Sequence, residues 1–283
     1  MKIVHISDMH FGPYHWSANN DILLERINSF KPDLVFNTGD STTDSLEDEF
    51  QAAQNFLKKI QCDNVISIMG NHDKFSKRSY DFFRKYIYNT NFVEPKDKTK
   101  TKKTNIYQDP KKMNLDNYLY EANFVEQIEI NGEKLLIIGL DTCIMNQHTG
   151  IVEEEILHSI ADIINSTPHD RIFMLTHHSI LTSDDNPLIN SKIVTDFMLK
   201  YNIEASFCGH VHDLDIVEAK DIIHGGGFRQ FRCGSMSGLE LISDPNMYCT
   251  YENIGKEDEK ITIINMYPNG EAIRFEEKVI EKI

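Results

Sequence analysis

Five short apolar runs in this chain each lead directly into a polar segment made of metal ligands and proton carriers. Asp8-Met9-His10 follows Lys2 to Ile6, Gly39-Asp40 follows Asp33 to Phe36, and Gly70-Asn71-His72-Asp73 follows Val65 to Met69. His177-His178 follows Arg171 to Leu175, and Gly209-His210-Val211-His212 follows Glu204 to Cys208. Each run has the length of a core strand. Side chains so far apart along the chain can cooperate only if the fold gathers them. Open α/β sheets do so, because their sites form beyond the C-terminal ends of the strands. The pattern therefore predicts strands whose ends share one rim. Gly39, Gly70 and Gly209 predict sharp turns where the backbone passes close to something.

The segments between these runs carry helical spacing. Ile22, Leu23, Ile27 and Phe30 fall on one side of a helix from Asp21 to Phe30. A second helix runs from Ser45, as N-cap with Asp48 three residues on, to Ile60. A third runs from Ser76 to Tyr88. This βαβαβα order predicts an α/β protein with crossover helices. Further along, Asn131-Gly132 predicts a hairpin between Tyr120–Ile130 and Glu133–Leu140. Helices are expected over Val152 to Ile164 and Ser191 to Tyr201. A closing hairpin is expected from Ile261 to Tyr267 and Glu271 to Glu277, around Pro268-Asn269-Gly270. No repeat or linker divides the chain, so one domain is expected over 1–283, with a polar insertion at about 94–117. The insertion gathers Lys96, Lys98, Lys100, Lys102 and Lys103. The first reading is a solvated surface excursion; the second is a basic flap over the site that helps hold an anionic substrate.

Composition narrows the classes. Of 283 residues 40% are apolar and 26% charged, as in soluble globular proteins. No run approaches the ~18 apolar residues of a membrane span, and the opening residues lack a signal-peptide pattern. The expectation is a cytoplasmic protein with no membrane partner. The five cysteines are odd in number and lack metal or redox spacing, which argues against a disulfide framework. A net charge of −15 argues against nucleic acid as a partner, although a metal cluster reverses the field locally. The oligomeric state stays open, a homodimer included.

Two aspartates, one asparagine and several histidines make a mixed nitrogen and oxygen donor set. With no thiolate among them, a structural zinc cluster or an iron–sulfur centre is disfavoured. Imidazole with carboxylate suits Mn, Fe, Zn, Co or Ni. Seven candidate ligands exceed the needs of one ion. Two ions ~3.5–4 Å apart, sharing a bridging carboxylate, would use them. Such a pair lowers the pKa of a bridging water from about 15.7 towards ~7 and clamps the attacking and leaving oxygens of a displacement at phosphorus.

In order and approximate spacing, Asp8-x-His10, Gly39-Asp40, Gly70-Asn71-His72-Asp73, His177 and Gly209-His210-x-His212 resemble the five-part signature of the calcineurin-like metallophosphoesterases. The resemblance runs from about Lys2 to about Gly234. It implies a four-layer α/β/β/α sandwich of two mixed β-sheets flanked by helices. It implies one metal held by Asp8, His10, Asp40 and His212, and a second held by Asp40, Asn71, His177 and His210, with Asp40 bridging. His72 would protonate the leaving group, and Asp73 would orient His72. The opening His5-Ile6-Ser7-Asp8-Met9-His10-Phe11-Gly12 and the pair His177-His178 are similar to the bacterial cyclic-nucleotide phosphodiesterase-like branch. That branch often has proline after the paired histidines, whereas this chain has Ser179-Ile180.

The implied function is metal-dependent hydrolysis of a small phosphoester, diester or monoester, by a metal-bridging hydroxide. Two rivals are a non-catalytic scaffold of the same fold, as in the retromer subunit, and a nuclease. The histidine at position 72 favours the enzyme over the scaffold, and the acidic charge disfavours the nuclease. Other residues read more plainly. His5 packs on the first strand. His15, His148, His158, His169 and His224 match no motif position and are expected at the surface or in structural roles. His178 is expected beside the ligands or facing substrate. Tyr14 and Trp16 either line the pocket or pack beneath it. Gly225-Gly226-Gly227 precedes no helix and reads as a turn or bulge.

Overall fold

The computed structural model describes residues 1–100, 121–181, 186–223, 225–239 and 244–281. The first sheet has the order β12-β11-β10-β1-β2-β3 and the second β4-β5-β6-β7-β9-β8. In chain order the strands are β1 Lys2–Ile6, β2 Leu34–Asn37, β3 Val65–Ser67, β4 Phe124–Ile130, β5 Glu133–Gly139 and β6 Arg171–Leu175. They continue with β7 Ala205–Cys208, β8 Asp215–Lys220, β9 Gly227–Arg232, β10 Asn246–Glu252, β11 Lys260–Asn269 and β12 Ala272–Glu281. The helices are α1 Asn20–Phe30, α2 Glu47–Leu57, α3 Ser79–Phe82, α4 Glu154–Ser166 and α5 Ser191–Lys200.

Strand alternation builds the layers. Ile3 on β1, Leu135 and Ile137 on β5, and Phe173 and Leu175 on β6 turn into one buried cluster between the sheets. Their neighbours turn outward. Val4 and Ile6 pack with Leu23, Leu24 and Ile27 of α1 and with Ala53, Phe56 and Leu57 of α2. Leu136, Ile138, Ile172 and Met174 pack with Ile156, Ile160 and Ile164 of α4 and with Val194 and Met198 of α5. The result is the expected four-layer α/β/β/α sandwich of two mixed sheets. The parallel pairs are β1–β2, β2–β3, β5–β6, β6–β7 and β7–β9.

Three local expectations are corrected. Ser45 is not the N-cap of α2; that position is Leu46, one residue later. Ser45 has φ +58°, and its hydroxyl donates to His72 O at 2.7 Å and accepts from Phe75 N at 2.8 Å. The helix start is held by Glu49, whose Oε2 accepts from Asp44 N and Leu46 N at 2.8 and 3.1 Å. The expected helix from Ser76 to Tyr88 is one α-turn, α3, followed by a wider i→i+5 segment over Phe83–Ile87. Finally, the five ligand-bearing strand ends do not belong to one sheet. β1, β2 and β3 lie in the first sheet, β6 and β7 in the second, and the C-terminal β10 returns to pair antiparallel with β1.

Both hairpins form. Asn131 and Gly132, at φ +55° and +82°, connect β4 to β5. β11 and β12 pair from Lys260 to Glu281, longer than the alternation alone indicates. Asp221 N donates to Gly226 O and Gly225 N to Asp221 O, so this glycine stretch is the turn between β8 and β9. Lys96, Lys98 and Lys100 pair with Asp162, Glu94, Asp97 and Glu155, on or beside α4, and none of these partners is a candidate ligand. Lys102, Lys103 and His224 lie outside the described residues. No helix among the described residues is long and apolar enough to cross a membrane.

Candidate metal centre

The strand ends deliver the candidate ligands through strained backbone. Among the described residues eleven non-glycine positions have positive φ, and five of them are Asp8, His10, Asp40, His210 and His212. Four of the others are asparagines; positive φ is uncommon for any residue but glycine, though asparagine, aspartate and histidine tolerate it best. Such outliers persist where the surroundings over-determine them, and they cluster at functional sites. The glycines permit close approach. A Cβ on Gly70 would stand 2.1 Å from Asp40 Oδ1, and one on Gly209 would stand 1.9 Å from Ser7 Oγ.

Two groups of ligand atoms face each other across Asp40. On one side His10 Nε2 and His212 Nε2 are 3.0 Å apart. Asp8 Oδ1 lies 3.4 Å from His212 Nε2 and 3.9 Å from His10 Nε2. On the other side Asn71 Oδ1 is 3.0 Å from both His177 Nε2 and His210 Nδ1. Asp40 Oδ2 reaches both groups, at 4.0 Å from His10 Nε2 and 3.3 Å from His177 Nε2.

The donor set fits cations. His177 Nδ1 donates to Thr38 O at 2.8 Å, which turns the Nε2 lone pair towards Asn71 Oδ1 and Asp40 Oδ2. His210 Nε2 donates to Asn186 O at 3.2 Å and turns Nδ1 the same way. Converging lone pairs repel unless a positive charge lies among them. Asp8 Oδ1, fully buried, accepts no hydrogen bond, a cost that a coordinated ion removes. Without an ion, protons must serve. Burial opposes ionisation of Asp40, yet the charge and hydrogen bond of His177 hold its carboxyl well below the usual range. Burial likewise opposes protonation of His177, but Asp40 beside it pushes the imidazole up to about 9. His10 and His210 are pushed down to about 4, mainly by burial, and so offer lone pairs.

A family model for calcineurin-like phosphoesterases matches residues 1–214. The chain belongs to that family. A curated relative, a probable glycerophosphodiester phosphodiesterase of Arcobacter nitrofigilis, is 25% identical over 229 residues, covering 75% of this chain and 72% of its own. Among solved structures, the purple acid phosphatase PPD1 of yellow lupin (Lupinus luteus) matches with TM-score 0.57 at 9% identity, over 94% of this chain and 51% of that one. GAP50, the anchor in the inner membrane complex of Plasmodium, matches with TM-score 0.53 at 11% identity, over 100% and 89%. At such identities these two likenesses carry the fold alone.

Around the calcineurin-like centre, three expectations change. Asp73 does not touch the His72 ring. Its carboxylate accepts from Gly70 N, Ser41 N, Thr42 N and Thr42 Oγ1, tying the β2 and β3 ends together. The His72 ring is oriented by Thr43 O, which accepts from Nδ1 at 2.8 Å, while His72 N donates to Asp40 Oδ1 at 2.8 Å. Tyr14 and Trp16 divide the roles left open between them. Tyr14 is exposed, with its ring 6.2 Å from that of His72, and Trp16 is buried. His148, expected at the surface or in a structural role, is exposed but sits against the site, 5.8 Å ring to ring from His72. It lies in the loop after β5, too far beyond Leu140 for the strand-end rule to mark it. Another strand end, after β9, supplies Ser235 and Ser237, whose hydroxyls donate to Asp8 O and Met9 O at 2.9 Å. His178 is buried and packs against His210, with ring centroids 4.3 Å apart and planes tilted by 47°; it reaches Thr142 Oγ1 and His148 O rather than the ligand atoms. His5 is buried between Tyr251 and Thr38 as expected.

Proposed function

We propose that this protein is a dinuclear metal-dependent phosphoesterase acting on a small phosphodiester or phosphomonoester, with cyclic nucleotides among the candidate substrates. The observation that carries the reading is the position of Asp40 Oδ2 between the His10–His212–Asp8 and Asn71–His177–His210 groups. In this reading Asp8, His10, Asp40 and His212 hold one ion and Asp40, Asn71, His177 and His210 the other. Mn, Fe, Zn, Co and Ni all suit these donors. When bound, two such ions supply Lewis-acid charge to phosphoryl oxygens and bring water close to ionisation at neutral pH.

The chain's own groups do the rest. Asp40 Oδ1 accepts from His72 N, so the His72 turn is registered to the centre, and Oδ2 would be the oxygen offered to the ions. His72 Nδ1 is committed to Thr43 O, leaving Nε2 as the atom that delivers a proton to the departing alkoxide. His10 packs edge-on to the His72 ring at 4.9 Å and Phe75 at 5.0 Å, which limits its rotation. Tyr14 borders His72 on the open side. The reading covers 1–283 as one domain, because both sheets share one core. The cytoplasm remains its proposed compartment, in keeping with five cysteines, none of them in a disulfide.

The test is hydrolysis of nitrophenyl phosphate mono- and diesters and of cyclic nucleotides by protein reconstituted with Mn. His72→Ala is expected to lower kcat roughly 10²- to 10⁴-fold while both ions stay bound. Full activity in that variant removes the proton-carrier role, and no hydrolysis by the unaltered protein restores the scaffold reading.

A further inference from the structure

Asn71 meets two candidate ligands with its amide oxygen and His148 with its amide nitrogen. Asn71 Oδ1 faces the ring nitrogens of His177 and His210. Its amide nitrogen lies on the opposite side, 3.2 Å from His148 Nδ1. An amide nitrogen only donates, so His148 Nδ1 accepts and this ring carries its hydrogen on Nε2. With a cation among them only Oδ1 can join His177 and His210, because an amide nitrogen has no lone pair to give; a flipped amide would donate to those imidazoles instead and turn an oxygen against the His148 acceptor.

The exposed His148 ring sits on a firmly held backbone. His178 Nε2 donates to His148 O at 2.8 Å, and its Nδ1 is engaged by Thr142 Oγ1 at 2.7 Å. Gly150, two residues on, leaves room for the His178 ring, since a Cβ there would stand 2.8 Å from His178 Nδ1. Asn146 N donates to Lys74 O at 3.2 Å, and Lys74 Nζ bonds Asp141 Oδ2 and Cys143 O. The loop after β5 is thereby fastened both to the β6 end and to the turn that carries Asn71 and His72.

We propose that His148 is a positioning residue for the second ion: it holds the Asn71 oxygen towards His177 and His210. The inference rests on the two-ion reading above. Outer groups that orient ligands typically change metal affinity 10- to 100-fold when removed. In calorimetric titration with Mn²⁺, His148→Ala is expected to weaken one of two binding steps by about 10- to 100-fold and to leave the other unchanged. His148→Asn, whose side-chain oxygen stands near the place of Nδ1, is expected to restore most of the loss. In an Asn71→Ala background, His148→Ala should change nothing further, because the effect passes through Asn71. The proposal is overturned if His148→Ala binds both ions as tightly as the unaltered protein. It is equally overturned if that substitution weakens binding to the same extent with and without Asn71. If the unaltered protein binds no Mn²⁺, the two-ion reading falls with it, an outcome distinct from a loss confined to the His148 variants.

Discussion

At the scale of single residues, the centre is a balance of charge among buried groups. Asp8 and Asp40 are both fully enclosed, and in a metal-free protein the charge they need comes from imidazolium. His177 is the main source, because its carboxylate neighbour outweighs burial and pushes it up to about 9. A cation bound at Nε2 replaces that proton. Below about pH 9 the metal-free protein holds the proton and the metal competes with it, so affinity falls as pH falls. Metal binding at pH 7 should therefore release at least one proton, with apparent affinity gaining up to about tenfold per pH unit towards 9. Calorimetry in buffers of different ionisation enthalpy measures the release; a buffer-independent heat would refute it.

At the scale of elements, the centre depends on strand ends meeting without side chains between them. Gly70, at the end of β3, lies against Asp40 at the end of β2, and a methyl group there would overlap both Asp40 Oδ1 and Asp40 N. Gly70→Ala should displace the Asp40 carboxylate, the bridge in the proposed two-ion reading, so that metal content falls below two ions per chain while the far-ultraviolet circular dichroism is kept. Elemental analysis of the purified variant reads this directly, and two retained ions would contradict it. The same crowding explains why Asp73 is bound by four donors of the β2 and β3 ends rather than by His72. It accepts the amides that the closely packed turns cannot satisfy otherwise.

At the scale of the whole molecule, the two sheets meet over one apolar core, and polar links join their ends around the centre. Lys74, on the turn after β3, and Asp141, after β5, form such a link with side-chain exposures of 8% and 1%. Removing one partner of a buried pair leaves a charge uncompensated and typically costs about 3–5 kcal/mol. Lys74→Met should lower unfolding free energy by about that amount in urea titration. The Lys74→Met/Asp141→Asn pair should cost less than the two single changes added together. Strict additivity would mean that the link does not couple the sheets.

Much of the centre was legible because local chemistry repeats. Apolar runs ending in aspartate, asparagine and histidine mark strand ends wherever they occur, and the calcineurin-like signature ordered them into two groups before any coordinates. Alternation likewise predicted hairpins at Asn131-Gly132 and Asn269-Gly270, where turn type is a property of adjacent residues. Partner choice was not legible. That Ser45 holds the His72 turn instead of capping α2, that Thr43 rather than Asp73 orients His72, and that His148 meets Asn71 all depend on contacts across 27 to 77 positions. The sequence alone determined which side chains offer metal-ligand chemistry, because ligand type is intrinsic to a residue. Only the tertiary structure decided how they are aimed, because aim is set by whichever distant backbone carbonyl or side chain packing brings within hydrogen-bond reach.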